Sequence, residues 1–400
     1  MEILILITQI TGYLILTFLL LSGLYFLFFA AASFFYHDNA NDTSDPVTQR
    51  KKVAILIPAY KEDYVIIETA VNAKKHASKQ AECDVIVIAD QLKPFTQKVL
   101  DYLKITVIPV YFRISSKSKS IRYALSKLKT DYDYTVVLDA DNLLAPDFID
   151  NIISKLNSGY KIVQGHRVAK NKNTRIATLD AISEAVNNNI FRIGHRAVGL
   201  SASLIGSGFA AEYQYFKSLI DQSTSIGGFD KELELMILNQ GDTIGYSKKA
   251  VVLDEKIQDA GGFVNQRRRW LSAQFVYLRS GINKMLKGKA NRNYLDKIIQ
   301  FLLPPRVIAM GVSLLITLLT AVSLFFEGSL NGLFWCGLVT FMISISSVAI
   351  ATPKEFYNSK TLASIWSLPK GFILTMVALL RIKNANKRFL HTTHRIAELR

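Results

Sequence analysis

The segment "YTVVLDADN", residues 134–142, decides the fold class of this 400-residue chain, because an apolar run ends there in two carboxylates. Similar β-rich runs occur at residues 53–60, 83–90, 105–112 and 161–168, with helix-length segments between them. Val-, Ile- and Leu-rich strands that alternate with helices are typical of a parallel sheet covered on both faces. The sequence therefore predicts an α/β domain with a Rossmann-like, mostly parallel sheet.

Acidic residues follow three of these predicted strands. Glu62 comes after the first run, Asp90 ends the second, and Asp139 and Asp141 end the fourth. Any one of them alone is equally well explained as a helix N-cap. Residues two apart in a strand point to the same face, so the carboxylates of Asp139 and Asp141 are expected to lie close together and to repel each other. A divalent cation bound between these carboxylates and a diphosphate would relieve the repulsion. Mg²⁺ or Mn²⁺ suits such an all-oxygen site.

Other nucleotide-binding patterns and a disulfide are disfavoured. No G-x-G-x-x-G follows the first strand and no G-x-x-x-x-G-K-S/T occurs, which argues against a dinucleotide site or a P-loop. The two cysteines, Cys83 and Cys336, fall in the α/β part and in an apolar segment. This usage suits a reducing, cytosolic compartment.

The N-terminal segment is an expected membrane anchor. Ile3 to Tyr36 carries no charge and exceeds the roughly 20 apolar residues that a bilayer core requires. It lacks the basic start and the cleavage site of a signal peptide, so residues 1–37 are predicted to be an uncleaved transmembrane helix. A polar linker, residues 38–50, follows. The basic residues at 50–52 then place the next domain in the cytoplasm by the positive-inside rule.

The C-terminal part contains further apolar segments. Residues 307–351 include two uncharged stretches of membrane length, which predict two transmembrane helices. Residues 271–306 mix apolar and basic residues, as amphipathic interfacial helices do. Pro369 and Lys370 interrupt a third apolar stretch. Residues 352–400 are therefore expected to form an interfacial helix and a basic cytoplasmic tail, although a crossing by residues 361–381 stays open.

Basic residues are concentrated next to the membrane segments. The formal net charge is +16, and Lys248 to Arg306 holds thirteen Lys and Arg against four Asp and Glu. Such a block binds nucleic acid, an anionic lipid surface or an anionic small ligand. Because it adjoins the apolar segments and lacks a nucleic-acid-reading motif, membrane lipids and a small anion are the expected partners, and nucleic acid is not.

Seven short motifs occur in a specific order: "IPAYKE", "VIVIAD", "SKSIRYAL", "LDADN", "GSGFA", "DKELEL" and "QRRRW". Together they resemble the family 2 glycosyltransferases, in particular the membrane-integrated synthases of cellulose, hyaluronan, chitin and poly-N-acetylglucosamine. The resemblance covers about residues 53–270. It implies a GT-A fold for residues 51–270 and a nucleotide-sugar donor, most often linked to uridine diphosphate.

The resemblance also implies roles for the residues that match the family motifs at the donor. Ala59, Glu62 and Asp90 would line the nucleoside pocket, and Lys117 would reach the nucleotide. Asp139 would contact the nucleotide as well.

The remaining motifs concern the metal and the acceptor. By resemblance, Asp141 would bind the metal, with Asp139 beside it. Gly206, Ser207 and Gly208 resemble the small-residue loop next to the acceptor sugar, although such a sequence is also typical of a plain turn.

Inverting sugar transfer requires a carboxylate that takes a proton from the acceptor hydroxyl. In the family this group is the Asp of a T-E-D motif. The best register places residues 230–232 on that motif and makes Glu232 the candidate base. The Thr and the first Glu of the motif are missing here, so Asp230 and Glu234 remain alternatives.

The "QRRRW" segment matches the family motif Q-x-x-R-W at Gln266, Arg269 and Trp270. An arginine fork pairs with phosphate oxygens in bidentate fashion, and a tryptophan face can stack on a sugar ring. A positive-inside belt would explain the arginines but not the Gln and Trp at these offsets. Arg267 and Arg268 occupy variable positions and could serve the lipid surface.

These observations predict an inverting, multi-pass glycosyltransferase of a bacterial inner membrane with a cytoplasmic catalytic domain. The Q-x-x-R-W motif accompanies processive synthases, so the expected acceptor is a growing polysaccharide. One alternative is a single-addition enzyme that acts on a lipid or polyprenyl-phosphate acceptor, and another is a non-catalytic membrane subunit that retains the GT-A fold. The few apolar segments imply a homo-oligomer or a partner subunit if a polymer must cross the membrane.

Overall fold

The computed structural model describes residues 2–37, 50–78, 80–286, 288 and 290–383; most of the predicted linker and of the basic tail lies outside these ranges. The described strands are β1 Lys51–Tyr60, β2 Ala81–Asp90, β3 Thr106–Val110, β4 Tyr134–Val137, β5 Leu143–Leu144, β6 Ile162–Ala169, β7 Phe209–Glu212 and β8 Gly245–Asp254. The described α-helices are α1 Glu2–Ala32, α2 Ile66–Lys75, α3 Pro94–Tyr102, α4 Lys117–Lys127, α5 Phe148–Asn157, α6 Arg175–Asn188, α7 His195–Ala197, α8 Tyr213–Gln222, α9 Phe229–Asn239, α10 Ala260–Met285, α11 Arg292–Leu302, α12 Arg306–Ala321, α13 Ser323–Glu327, α14 Gly332–Ala351, α15 Ser359–Ile365 and α16 Leu368–Leu380.

The strands form one sheet in the order β3-β2-β1-β4-β7-β6-β8-β5. Strand β1 pairs in parallel with both β2 and β4, and β2 pairs in parallel with β3. The chain order therefore reverses between β1 and β4, where a crevice opens at the carboxyl ends of the strands. All five strands predicted from the sequence are present, and the predicted α/β class is confirmed.

Three further strands make the sheet mixed. Strand β7 runs antiparallel between β4 and β6, and β5 is antiparallel to β8, whereas β6 and β8 are parallel. The sequence did not indicate these strands. β7 is the four-residue segment "FAAE", which lacks β-branched side chains, and two lysines interrupt the apolar pattern of β8.

Apolar side chains cover both faces of the sheet. Ile55 and Ile57 of β1 pack on one face with α2 and α5, and Ala54 and Leu56 pack on the other with α4, α8 and α9. This alternation is the two-residue periodicity of a strand that is buried on both sides. The sheet is thus held rigidly enough to place the residues at its carboxyl edge.

Three described helical segments are long and apolar enough to cross a membrane: Glu2–Phe35, Arg306–Phe326 and Gly332–Ala351. Glycines allow these helices to approach one another closely. A Cβ added at Gly23 of α1 would lie 3.3 Å from Ser344 Oγ of α14, and one at Gly337 of α14 would lie 2.6 Å from Thr317 Oγ1 of α12. Helix α14 therefore packs between α1 and α12.

The segment after these helices is bent. Helices α15 and α16 meet at an angle of 51°, which fits either a broken span or a re-entrant loop. Pro369 lies in the first turn of α16, where a missing backbone N–H is tolerated. Helix α16 packs against α10 and α12. Helix α10 itself continues through residue 270, so one helix joins the predicted catalytic region to the region predicted to be interfacial.

Candidate active site

A cavity of about 500 Å³ opens at the carboxyl ends of β1, β2 and β4. Ten of the thirteen site residues predicted from the sequence line it: Ala59, Glu62, Asp90, Lys117, Asp139, Asp141, Gly206, Gln266, Arg269 and Trp270. Ser207, Gly208 and Glu232 do not. The cavity therefore brings the strand-end carboxylates and the Q-x-x-R-W residues to one place, although these residues are up to about half the chain apart in the sequence.

Asp90 lies at the end of β2, opposite Tyr60 of β1 in the parallel register. Its Oδ2 is 3.5 Å from Ser120 Oγ, and its buried Oδ1 has no hydrogen-bond partner among the described residues. Burial raises the pKa of Asp90 above the ordinary value. A buried acceptor without a donor is costly, so this end of the cavity suits a ligand that offers an N–H group.

Lys117 connects three parts of the site. It is the first residue of α4, and its Nζ lies 2.5 Å from Asp139 Oδ1 and 2.7 Å from the carbonyl oxygen of Gly206. The ammonium therefore bridges the segment after β4 and the loop at residues 206–208. A cation in this position is well placed to meet a phosphate group.

The two carboxylates of "DAD" lie in a turn and not in a strand, because β4 ends at Val137. Asp139 and Asp141 therefore do not share one face of a strand, contrary to the prediction from the sequence, yet the turn brings both to the same cavity. The Asp139 side chain is 40% exposed, whereas Asp141 is buried. Asp141 Oδ1 accepts from Asn142 Nδ2 at 3.3 Å, and Asp141 Oδ2 accepts from the Glu255 backbone N–H at 3.4 Å.

The oxygen ligands of Asp139 and Asp141 suit Mg²⁺ or Mn²⁺. In the part of the chain that is described, no group of three or more His, Cys, Asp and Glu side chains could hold a metal alone. A cation at this turn would need further oxygens, and a bound diphosphate could supply them. The residues therefore fit a metal that arrives with, or is completed by, its phosphate ligand.

Helix α10 presents the Q-x-x-R-W residues on one face. Gln266, Arg269 and Trp270 stand at positions i, i+3 and i+4, which are neighbours on a helix surface. Burial lowers the pKa of Arg269, and the nearby charge of Asp139 opposes this shift. Gln266 Oε1 is shielded and has no partner among the described residues. Asp139 and Arg269 thus border the same space.

The three consecutive arginines point in different directions, because successive residues on a helix are about 100° apart. Arg267 Nη2 lies 2.6 Å from Asp180 Oδ1, and its guanidinium carbon is 4.4 Å from the centroid of the Trp270 ring. Arg268 Nε donates to the Arg381 carbonyl at the end of α16, at 2.7 Å. Of the three, Arg269 is the one that lines the cavity.

The three candidates for the base differ in their surroundings. The Glu232 carboxylate accepts from the backbone N–H groups of Thr224 and Ser225, both at 3.1 Å, and from the Ser223 hydroxyl, so it fastens the loop before α9 outside the cavity. Glu234 lines the cavity but is buried 2.7 Å from Lys297 Nζ.

Asp230 lines the cavity from the first turn of α9. Its Oδ2 lies 3.3 Å from Lys231 Nζ, and its side chain packs against Gly206. Neither a capping loop nor a deeply buried ion pair holds it. Of the two acids, Asp230 is therefore the one whose side chain borders the cavity.

The loop at residues 206–208 supports the turn after β4. Gly206 and Gly208 have φ values of +86° and +62°, which favour glycine, and a Cβ at Gly208 would lie 2.5 Å from Val252. Ser207 is fully buried, accepts from the Asp139 backbone N–H at 2.7 Å and donates to Asn142. Of this loop, Gly206 borders the cavity.

Sequence reasoning missed a cluster of buried charges in the wall of the cavity. Glu184 of α6 lies 2.6 Å from Arg167 of β6 and 3.3 Å from Arg192, and Asp254 lies 2.7 Å from Lys256. Burial opposes the charge on Glu184, but the surrounding cations outweigh it and hold the pKa well below the ordinary value. An arginine inside the predicted strand at 161–168 was the available signal, because unpaired charges are rarely buried.

A sequence profile described as "Glycosyltransferase like family 2" matches residues 50–273, which is more than half of the chain. The comparison with curated proteins finds no match. Among solved structures, a mannosyltransferase from Pyrobaculum calidifontis in complex with GDP-Man and Mn²⁺ is similar. It is 12% identical, with a TM-score of 0.52 over 91% of this chain and 98% of that one. At this identity the likeness shows the fold alone.

Glucosyl-3-phosphoglycerate synthase from Mycobacterium tuberculosis, in complex with Mn²⁺, UDP and phosphoglyceric acid, is 16% identical. The match covers 57% of this chain and 78% of that one, with a TM-score of 0.41. This score is too low to establish a common fold.

Proposed function

The chain belongs to the glycosyltransferase-like family 2, and from this premise we propose that it transfers a sugar from a nucleotide-diphosphate donor with inversion at the anomeric carbon. One observation carries this proposal: Asp90, Asp139 and Asp141 border the same cavity as Arg269 and Trp270. A nucleotide sugar has a base, a diphosphate and a sugar in that order, and the cavity offers complementary groups for each.

The donor would lie along the carboxyl edge of the sheet. The buried Oδ1 of Asp90 would accept an N–H of the base, beside Ala59 and Glu62. Uracil and guanine both offer such an N–H, so the choice of a uridine donor follows from the family resemblance. Lys117 and Arg269 would contact the phosphates, since both are cations on the cavity wall close to Asp139. Trp270 would offer its face to a sugar.

Asp141, with Asp139 beside it, would hold Mg²⁺ or Mn²⁺ together with donor oxygens. Such a cation, when bound, supplies Lewis-acid stabilisation of negative charge on the phosphates. Arg269 adds donors fixed on a helix, which require little reorganisation as the charge develops. The burial of Asp141 and the partial exposure of Asp139 support these separate roles.

Asp230 would act as the base in place of Glu232. An acceptor oxygen attacks the anomeric carbon from the side opposite the leaving diphosphate, and its proton passes to the carboxylate. Asp230 borders the cavity at Gly206, next to Lys117 and Asp139. Glu232 would instead order residues 223–225.

The apolar helices support a membrane location for this activity. We place the catalytic domain on the cytoplasmic side of a bacterial inner membrane, where nucleotide sugars are available and the basic residues favour retention. The Q-x-x-R-W motif predicts a growing polysaccharide as the acceptor, and a lipid or polyprenyl phosphate is the alternative.

The proposal is tested with purified full-length protein, a set of uridine and guanosine diphosphate sugars, and Mg²⁺ or Mn²⁺. We expect release of nucleoside diphosphate from at least one donor. Asp141→Ala should lower turnover about a hundredfold or more, since metal stabilisation contributes several kcal/mol. Asp101→Ala, an exposed acid on α3, is the matched control and should have no effect. If no donor is consumed and Asp141→Ala leaves the affinity for the nucleotide unchanged, the chain is a non-catalytic subunit.

A further inference from the structure

A second cavity, of about 340 Å³, lies beside the first and shares part of its wall. Five residues border both cavities: Asn187, Phe191, Trp270, Gln274 and Gln300. Its volume falls within the range of small-ligand pockets. The Trp270 ring is therefore a boundary between the proposed donor site and a separate space on the membrane side.

Most of the side chains around the second cavity are apolar, and the membrane helices supply many of them. The wall includes Phe26 of α1, Met310 of α12, Val348 of α14 and Leu374 of α16. Leu179 and Ile182 of α6 close it on the side of the catalytic domain. A polysaccharide would leave hydroxyl groups without hydrogen-bond partners against such a wall, whereas a hydrocarbon chain would not.

Three cations border this apolar space: Arg267, Arg306 and Lys370. Arg267 is paired with Asp180 at 2.6 Å. Arg306 Nη2 donates to Asn187 Oδ1 at 2.8 Å, and Arg306 Nη1 is shielded and has no partner among the described residues. Within the described chain, Arg306 and Lys370 make no ion pair.

A cation without a counter-charge is expensive next to hydrocarbon. Arg306 stands at the first position of α12, where a membrane-crossing segment begins, and it bonds to Asn187, one of the residues shared with the donor cavity. An anionic group on a ligand would supply the missing counter-charge at this boundary. The charge pattern thus specifies an apolar chain with an anionic head.

We propose that the second cavity binds the acceptor and that the acceptor is a lipid with a phosphate-bearing headgroup. This inference rests on the proposed function, because it assigns the acceptor of the same reaction. The chain lies among α1, α6, α12 and α16, the phosphate meets Arg306, and one phosphate oxygen reaches past Trp270. This oxygen forms a bond to the anomeric carbon as the bond to the nucleoside diphosphate breaks, and the proton of the monoprotonated phosphate passes to Asp230.

Binding is tested with the full-length protein in detergent and with farnesyl phosphate as the probe. Farnesol should bind about tenfold more weakly or worse, since it lacks the charged hydrogen bonds to Arg306, and inorganic phosphate should not compete. Arg306→Gln should lower the affinity for farnesyl phosphate about tenfold and leave farnesol unchanged. Leu374→Trp should weaken both, because it fills the cavity. Arg279→Gln, on the exposed face of α10, is the matched control and should change neither.

Transfer is tested in the same preparation. With a donor that the protein consumes, the sugar should appear in a butanol-extractable product of farnesyl phosphate. Arg306→Gln and Leu374→Trp should reduce this product while nucleoside diphosphate still binds with unchanged affinity, because neither residue borders the donor cavity.

The outcomes separate this inference from the proposed function. Equal affinity for farnesol and farnesyl phosphate, insensitivity to Arg306→Gln and Leu374→Trp, or recovery of the sugar in a water-soluble polymer would overturn the lipid acceptor site. So would binding of farnesyl phosphate without its glycosylation by a donor that the protein consumes. Failure of the unaltered protein to bind any nucleoside diphosphate would instead overturn the proposed function.

Discussion

Asp230 and Glu232 stand two positions apart at the start of α9, and their surroundings give them different chemistry. The carboxylate of Glu232 is occupied by donors from residues 223–225, whereas Asp230 faces the cavity. The same contrast separates Arg269 from Arg268, which lies on another face of α10 and bonds to the end of α16. A motif thus names candidate residues, but the contacts of each side chain decide which of them can act.

The assignment of the base is tested by Asp230→Asn and Glu232→Gln. Asp230→Asn should lower kcat by about 10² to 10⁴, the usual contribution of a general base, with the donor KM little changed. Glu232→Gln should keep most of the activity and lower the thermal stability, because it weakens the bonds that hold residues 223–225. Nucleoside diphosphate release measures both. A larger kcat loss for Glu232→Gln than for Asp230→Asn would contradict the assignment.

Strand β6, helix α6 and the π-helical turn at Asn189–Gly194 are joined by buried charges. Glu184 of α6 contacts Arg167 of β6 and Arg192 of the turn. Removing one member of a buried group of charges leaves the others unpaired in a poorly solvating interior. These contacts therefore fix the wall between the sheet and the apolar helices, where Asn187 and Phe191 border both cavities.

Glu184→Gln should lower the free energy of unfolding by about 3–5 kcal/mol at pH 7.5. Because the folded-state pKa of Glu184 is lowered, its contribution is present above the ordinary glutamate pKa and is lost as the pH falls below that value. The difference from the unaltered protein should therefore stay constant from pH 7.5 to about pH 5 and shrink only as the pH falls below about 4. Unfolding in detergent measures this difference. Lys161→Gln removes an exposed ion pair with Asp242 and should cost less than about 1 kcal/mol. A pH-independent loss for Glu184→Gln would argue against an ionised, paired Glu184.

The chain as a whole combines a family 2 glycosyltransferase domain with apolar helices that pack against it. Helix α1 docks on the catalytic domain near α7, where Tyr25 Oη lies 3.0 Å from His195 Nε2 and 2.7 Å from Asp296 Oδ1, and Phe29 stacks on His195 at 3.7 Å. Helix α16 adds a contact with α10. The apolar helices therefore contribute to the wall of the second cavity, and three of them are also long enough to cross a membrane.

The proposed topology predicts which surfaces are accessible from each side of the membrane. In a protein with Cys83→Ser and Cys336→Ser, Lys98→Cys on exposed α3 should react with an impermeant thiol reagent from the cytoplasmic side. Ser329→Cys, in the turn between the two C-terminal spans, should react from the opposite side and serves as the matched control. Labelling of both positions from one side would contradict the topology.

The sequence by itself determined the properties that depend on local pattern. The two-residue periodicity of apolar side chains located five strands of the sheet, and long segments without charge located three apolar helices. The order of the motifs indicated the family and included ten residues that border the cavity. The sequence did not reveal β7, because a four-residue strand is too short to show a periodicity of apolar side chains.

Only the tertiary structure decided matters that depend on contacts between distant segments. It placed Asp139 and Asp141 in a turn, turned Glu232 toward the loop before α9, and paired Arg167 with Glu184. It also brought α1, α6, α12 and α16 around the second cavity. The physical reason is that spacing along the chain sets the direction of a side chain within its own helix or strand, whereas its neighbours are set by how the elements pack.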